Sequence, residues 1–445
     1  MTAVCSVRHE AAKILHRIYH TDAYADILID ELLKNCSFSN IDRALLSELV
    51  YGSLRWRGRL IFLLEQTYHG KWNQLPDKVQ IILQMGLYQL IYMDRIPDFA
   101  AINESVDLAK KWTHPKWSGT VNAILRRLSK THATIALPDI NQNPVKAIAV
   151  EYSHPEWMID GWLKEFSLDR TKAICQANNV KPTLSLRVNK LKMDPLEIQK
   201  RLLDQGYAVQ PGKFLDEFYS VSEPRGIFET ELFEKGFFTI QDESAGLVSR
   251  LVDPKPGEII FDMAAAPGGK TGHICELAGH KATVLSMDRH FGRLKRLRET
   301  LTRLGHSAYI VQGDGNFPPI ASVDKIIVDA PCSGIGALRK RADLRWKMTN
   351  DIVDTLVSIQ KGLLQKAVQC VRPNGVIVYS TCTVIKKENR AIAEWFIKQN
   401  PEFIIESAKQ WVPAQIVTDH GCIETWPDLH HIDGSFAVRF KNGDN

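Results

Sequence analysis

From about Gly236 onward the chain alternates short apolar runs with helical stretches, the runs falling at 258–262, 283–287, 308–312, 325–329 and 375–380. Val and Ile dominate them, so each reads as a buried strand. Strand–helix alternation of this kind restricts the fold to a parallel sheet covered by helices on both faces. Open α/β sheets place ligands and chemistry beyond the C-terminal ends of their strands. The residues just past each run are therefore the ones that bear on function.

The first run is followed by Ala264-Ala265-Ala266-Pro267-Gly268-Gly269-Lys270-Thr271, a glycine-rich turn that opens a helix. The glycines let backbone approach a ligand closely, and a helix N-terminus offers free N–H donors. A phosphate-cradling loop needs Gly-x-x-x-x-Gly-Lys-Thr. Gly269-Lys270-Thr271 supplies its end, but Ala264 stands at the first glycine position. The Gly-x-Gly-x-x-Gly turn of dinucleotide sites is absent, which leaves S-adenosylmethionine. Asp288 closes the second run, where a carboxylate accepts hydrogen bonds from ribose hydroxyls. Asp314, in Gln312-Gly313-Asp314-Gly315, closes the third and is placed to reach the adenine amino group. A single strand-end Asp is more often a helix cap or a turn residue. Polar ends on three successive strands are harder to explain that way.

The last two runs end in cysteines, in Asp329-Ala330-Pro331-Cys332-Ser333-Gly334 and in Ser380-Thr381-Cys382-Thr383. A lone cysteine is most often a small buried hydrophobe. Pro331 and Gly334 are turn residues, however, and both surroundings are polar. A methyl donor beside two thiols points to carbon 5 of cytosine, a poor nucleophile. A thiolate adding to carbon 6 makes carbon 5 enamine-like, after which a base must remove its proton and the thiol must be eliminated. One cysteine serves as nucleophile and the other assists proton removal or release; the residues alone do not order the two. The nucleophile must be a thiolate, so Lys386 and Lys387, and Lys270 through the fold, are expected to lower its pKa. Asp329 is expected to hydrogen-bond the amino and N3 edge of cytosine.

Upstream, residues 1 to about 135 read as helical throughout. Ala44, Leu45, Leu46, Leu49, Val50 and Leu54 mark one apolar face, and Val79, Ile82, Leu83, Leu87, Leu90 and Ile91 another. Asp42 and Asp77 are candidate helix-start signals. Pro138 and Pro144 flank a polar stretch read as a linker, and the strand-like Thr183–Asn189 and helical Leu196–Gln205 suggest a small α+β module. The expected architecture is thus multidomain: an all-α bundle at 1–138, an α+β module at 145–235 and an α/β Rossmann-like catalytic domain at 236–445.

The net charge of +5 does not by itself imply nucleic acid, so the distribution of charge must. In the bundle, Arg55, Trp56, Arg57 and Arg59, then Lys110, Lys111, Trp112, Lys116 and Trp117, then Arg126 and Arg127, mix cations with aromatics. They read equally as a solvated helix surface or as an RNA-binding face. Arg339, Lys340, Arg341, Arg345, Trp346 and Lys347 follow the first cysteine motif and are expected to meet nucleic acid. Arg289, Arg293, Lys295, Arg296, Arg298 and Arg303 share one helix, at least partly a solvated face. The eight cysteines include no Cys-x-x-Cys pair, so neither a metal site nor a disulfide framework is expected. Met1–Leu15 has no apolar signal core and no stretch approaches a membrane span, which makes the cytoplasm the expected location, with no membrane partner.

The three motifs in order, with Glu388-Asn389 after the last, resemble the Nol1/Nop2/Sun family of RNA cytosine-carbon-5 methyltransferases. Asp42-Arg43-Ala44-Leu45-Leu46 with Val50–Arg55, Gly86–Leu90 and Val121–Arg126 look like the NusB-type domain of bacterial members acting on 16S ribosomal RNA. Leu186-Arg187-Val188-Asn189 and Gln241-Asp242-Glu243-Ser244-Ala245 match those members too. The resemblance implies Cys382 as nucleophile, Cys332 as the thiol that assists release, Asp329 on the cytosine edge and Lys270 near the target base. It assigns the cofactor to Ala264, Ala265, Ala266, Pro267, Gly268, Gly269 and Lys270 together with Asp288, Arg293, Asp314 and Asp329. The implied enzyme is a monomer acting on 16S ribosomal RNA, free or in early assembly. Two other readings are the same chemistry on transfer RNA and a non-catalytic ribosome-assembly factor that binds RNA. The chain has Ala264 where the family usually has Cys, Lys340-Arg341-Ala342-Asp343 in place of Arg-His-Pro-Asp, and Asp433-Gly434-Ser435-Phe436 in place of Asp-Gly-Phe-Phe. None of these removes a catalytic group.

Overall fold

A computed structural model describes residues 6–443; Met1–Cys5, including one of the eight cysteines, and Asp444–Asn445 lie outside it. The chain forms two units. One runs to Asn179 and takes in Arg341–Lys347; the other comprises Val180–Lys340 and the chain from Met348 onward.

The first unit is helical, as its periodicity requires. Its helices are Val7–His20, Ala25–Asn35, Asn40–Thr67, Asp77–Tyr92, Asp98–Trp112, Trp117–Thr131, Pro144–Glu151, Glu156–Glu165 and Leu168–Asn179. Leu46, Leu49, Val50 and Leu54 pack in one core with Val79, Ile82, Leu83 and Leu87. The longest helix starts in a capping box: Ser39 Oγ accepts from the Asp42 N–H (3.2 Å) and the Asp42 carboxylate accepts from the Ser39 N–H (3.3 Å). Asp42 is therefore the third helical residue rather than the cap. Residues 139–143 form a turn whose last member, Asn143, caps Pro144–Glu151 through Lys146 N (3.0 Å).

The second unit holds two sheets. In the smaller, β1 (Leu184–Val188), β2 (Val209–Pro211), β3 (Phe218–Val221) and β4 (Phe238–Ile240) lie in the antiparallel order β2-β3-β1-β4. The larger sheet contains β5 (Ile259–Asp262), β6 (Thr283–Asp288), β7 (Tyr309–Gln312), β8 (Val323–Asp329) and β9 (Val371–Thr381), all paired in parallel. These are the five strands expected. The sheet is not purely parallel, however. β10 (Phe403–Glu406), β11 (Ile423–Thr425) and β12 (Ser435–Asn442) are added antiparallel, in the order β10-β12-β9-β8-β5-β6-β7 with β11 on β12. β11 and β12 are joined by a short connection, and only antiparallel pairing allows that. The shared core includes Phe261, Val328, Tyr379 and Phe440. Among the described residues no helix is long and apolar enough to cross a membrane, and no group of three His, Cys, Asp or Glu side chains is arranged to hold a metal ion.

Candidate active site

β5, β8 and β9 lie side by side, so their C-terminal ends bring together residues far apart in sequence. Phe261 pairs with Ile326, and Asp329 with Ser380. Asp262, Asp329 and Thr381 thus end on one rim. The turn after β5 has Gly268 at φ +101°, a left-handed conformation natural only to glycine. It leads into the helix Gly269–Leu277, whose first turn carries Lys270. Lys270 Nζ donates to Asp329 Oδ2 at 2.7 Å, and Ser380 Oγ donates to Asp329 Oδ1 at 2.8 Å. Asp329, at the end of β8, is thereby fixed from the helix Gly269–Leu277 and from β9. Burial alone would lower the Lys270 pKa, but the Asp329 charge outweighs it and raises it.

The two cysteines meet beyond the same rim. Their sulfurs are 3.2 Å apart, and the Cys382 N–H donates to Cys332 Sγ at 3.3 Å. Cys382 is exposed and Cys332 half-buried; neither is in a disulfide. The hydrogen bond from Cys332 holds the Cys382 pKa below an ordinary thiol, aided by the Lys270 charge and opposed by burial. That same bond, with burial and the charges of Cys382 and Glu388, pushes Cys332 well above one. Two like residues are thus made unlike: the exposed Cys382 ionises the more readily, and the half-buried Cys332 behind it the less. Lys386 and Lys387, expected to help, take no part. Both are exposed, and Lys387 pairs with Asp354 at 2.7 Å.

The Lys270–Asp329 pair borders a cavity of about 170 Å³, also lined by Gln241, Asp262, Ala264, Ala265, Ala266, Pro267 and Gly269, among others. Asp262 Oδ1 and both amide atoms of Gln241 are buried without a hydrogen-bond partner. Such groups are costly unless a ligand satisfies them, so the residues present fit a polar cofactor of the S-adenosylmethionine type. Burial, with the Asp329 charge, raises the Asp262 pKa to about 7. Of the other expected cofactor residues, Arg293 joins two: it donates to the Ala266 carbonyl at 2.6 Å and lies 3.4 Å from Asp288 Oδ2. Asp288 Oδ1 accepts from His290 N (2.9 Å) and Asp314 Oδ1 from Asn316 N (2.9 Å), so both also form their own turns. Gln241 was missed from sequence; its only signal was membership of the Gln241–Ala245 match.

The basic run after Cys332 is not an open nucleic-acid face, contrary to expectation. Within the second unit, Lys340 bridges Asp242 and Asp433, and Arg339 Nη2 donates to Asp433 Oδ1 at 3.1 Å. In the first unit, Arg345 is fully buried and donates to the carbonyls of Arg55 (2.8 Å), Ser153 (2.9 Å) and Asn178 (3.3 Å) and to Asn179 Oδ1 (2.9 Å). Trp346 Nε1 donates to Leu54 O, and Lys347 Nζ to Ala23 O. The bundle's own clusters divide. Arg55 is buried, Trp56 stacks on Tyr92 with centroids 4.5 Å apart, and Arg57 lies 4.3 Å over the Tyr19 ring. Lys110, Lys111, Lys116, Arg126 and Arg127 are exposed. On the helix Phe291–Leu304, Arg303 binds the carbonyls of Phe233 and Phe238, while Lys295, Arg296 and Arg298 are exposed.

Comparison with known proteins covers nearly the whole chain. Residues 249–441 match the family model for the 16S rRNA methyltransferase RsmB/F, residues 6–130 the NusB family, and residues 154–226 a ferredoxin-like domain of RsmF/B-like methyltransferases. A probable ribosomal RNA small subunit methyltransferase B from Synechocystis is 35% identical, the match covering 98% of this chain and 99% of the relative. A protein of the same name from Bacillus subtilis is 33% identical, with 98% of each chain covered. The crystal structure of PH0851 shares the fold with a TM-score of 0.82 at 24% identity, over 99% of this chain and all of that one. A methyltransferase homologue from Pyrococcus horikoshii, 26% identical, superimposes with a TM-score of 0.59 over 67% of this chain and 99% of that one. With relatives this similar along nearly their full length, the chain belongs to the family of ribosomal RNA small subunit methyltransferase B.

Proposed function

We propose that this protein methylates carbon 5 of a cytosine in 16S ribosomal RNA, through a covalent adduct between that base and Cys382. The observation that carries the reading is the pair of sulfurs 3.2 Å apart beside the Lys270–Asp329 pair. Addition to a pyrimidine needs a nucleophile and elimination from it needs a base, and two adjacent thiols can divide those roles. S-adenosylmethionine, the cofactor of this family, supplies an electrophilic methyl group; the Ala264–Lys270 turn, Asp288, Arg293 and Asp314 would hold it.

Cys382, with its pKa lowered by Cys332, attacks carbon 6 as the thiolate. The attack moves the carbon 5–carbon 6 π electrons onto carbon 5, which becomes the nucleophile. Asp329 faces the amino and N3 edge of the base, and Lys270 holds Asp329 in place. Once Cys382 is bonded to carbon, Cys332 no longer has a sulfur anion to donate to. It loses its proton to solvent and takes the proton from carbon 5. The electrons of that C–H bond restore the ring double bond, the carbon 6–sulfur bond breaks, and Cys382 leaves as thiolate. One proton is released to solvent per methyl transferred. We assign the modules as RNA-binding bundle (1–138), bridging module (145–235) and catalytic domain (236–445), acting in the cytoplasm as a monomer.

The test is adduct trapping. Cys332→Ala, incubated with cofactor and unmodified 16S rRNA, is expected to accumulate a protein–RNA band that survives denaturation. Cys382→Ala is expected to give none. An adduct trapped by Cys382→Ala instead would reverse the two thiols, and a higher yield on tRNA would move the substrate.

A further inference from the structure

The residues next to the two cysteines are tied to one buried carboxylate. Glu388 closes the short turn Lys386–Glu388, and its side chain is fully buried. One carboxylate oxygen accepts from Ser333 N and from Gln360 Nε2, both at 2.9 Å, and the other accepts from Ser333 Oγ at 2.6 Å. Ser333 Oγ lies 2.7 Å from Thr383 Oγ1. Since the Ser333 proton is committed to Glu388, Thr383 is the donor of that bond. Ser333 is next to Cys332, and Thr383 next to Cys382. The preceding residues are held as well. Gln360 also donates to Pro331 O at 3.0 Å, and Asn389 Oδ1 accepts from Thr381 Oγ1 at 2.6 Å.

The partners of the Glu388 carboxylate are hydroxyl, amide and backbone groups, none of them cationic. Burying an ionised carboxylate without a countercharge is a poor way to gain stability. An amide would fill the same room with its oxygen accepting from Ser333 N and Gln360 and its nitrogen donating to Ser333 Oγ, whose own proton would then turn to Thr383. The charge itself therefore needs a reason, and the sulfur pair beside it supplies one. We propose that Glu388 is the positioning residue of the thiol pair, setting Cys332 against Cys382 and keeping the negative charge on Cys382 rather than Cys332. The inference rests on the thiol roles proposed above.

Its physical basis is asymmetry. The Glu388 anion acts on Cys332 and opposes a second anion there. On the Cys382 side, Lys270 favours the thiolate, while Asp329 and Asp433 oppose it. Tyr379, on β9, is the remaining titratable neighbour; its hydroxyl donates to the Glu388 carbonyl at 2.6 Å and is held protonated, mainly by burial. Without Glu388 the two sulfurs would compete more evenly for one proton.

The experiment is alkylation of the full-length protein with iodoacetamide across pH, each cysteine read by mass spectrometry, together with measurement of adduct release with RNA. Glu388→Gln is expected to lower the midpoint pH of the Cys332 reaction by about one, which raises its rate roughly 10-fold at a fixed pH below that midpoint. Adducts should still form on Cys382 but release about 10-fold more slowly. Ser333→Ala keeps the charge and breaks the link to Thr383, so it should slow release and leave the Cys332 midpoint in place. An unmoved Cys332 midpoint in Glu388→Gln, with release at the wild-type rate, overturns the proposal. Should Glu388→Gln fail to fold, Glu388→Asp and Ser333→Ala carry the test. Asp keeps the charge without the reach, so the midpoint should hold while release slows, and unchanged release in both variants overturns the proposal. A Cys332→Ala protein that accumulates no adduct would sink the proposed reaction and leave the alkylation midpoints standing, so the two failures are separable.

Discussion

The Pro331–Gly334 loop and the basic run Arg339–Lys347 lie only a few residues apart, yet they use polarity in opposite ways. The loop spends its hydrogen bonds on holding a reactive pair at the surface: Ser333 and Thr383 are buried while Cys382 is exposed. The run directs its charges inward. Arg345 gives its hydrogen bonds to backbone and Asn179, and Lys340 pairs with the buried Asp433 and the half-buried Asp242. The first is machinery supported by a hidden frame; the second is itself hidden frame. Charge and aromatic content cannot separate these cases, because what decides is the partner each side chain finds.

The largest effect expected is at the exposed member of the loop pair. Cys382→Ala should reduce methyl transfer by at least ~10³-fold with folding intact, as loss of a nucleophile does. Next comes Arg345→Ala. It strands several buried acceptors at once and should cost about 3–5 kcal/mol of stability, seen as a fall in urea midpoint. RNA affinity of the molecules still folded should be unchanged. Normal stability with weakened RNA binding would instead make the run a nucleic-acid face and erase the contrast.

A finer test uses the thiols. Cys175, Cys275 and Cys422 are buried and pushed up to about 12, whereas Cys382 is lowered by its bond from Cys332. At pH 8 alkylation should therefore reach Cys382 first, with the buried thiols silent until denaturant is added. The Cys382 rate should fall as pH drops through its folded pKa, because the thiolate is then protonated. The same logic, with its sign, applies to His273. Burial lowers its pKa to about 4 from the ordinary 6.5. The neutral form stabilises the fold fully above pH 6.5, and that stability is lost as pH falls towards 4, by about 1–3 kcal/mol. His273→Gln should flatten that part of the pH–stability curve. Arg298→Ala, on an exposed surface, should change stability by less than ~0.5 kcal/mol.

Much of this was legible in the sequence for local reasons. The five parallel strands announced themselves by Val and Ile runs, and the glycine turn and both cysteine motifs by turn residues at strand ends. The bundle's helices followed from apolar periodicity. What stayed hidden depended on distant partners. Gln241 lines the cofactor cavity only because the end of β4 reaches that site. Glu388 stood out only as part of the Glu388-Asn389 match, with no role attached, and its burial requires Ser333 and Gln360 from other parts of the chain. β12 follows no crossover helix, so the strand–helix rhythm that revealed the other strands was silent about it.

The measurement that bears most directly on the account is methyl transfer from labelled S-adenosylmethionine to unmodified 16S rRNA, with the product nucleoside identified. The account predicts label in 5-methylcytosine with the wild-type protein and none with Cys382→Ala. Label in any other nucleoside, or full transfer by Cys382→Ala, would contradict it.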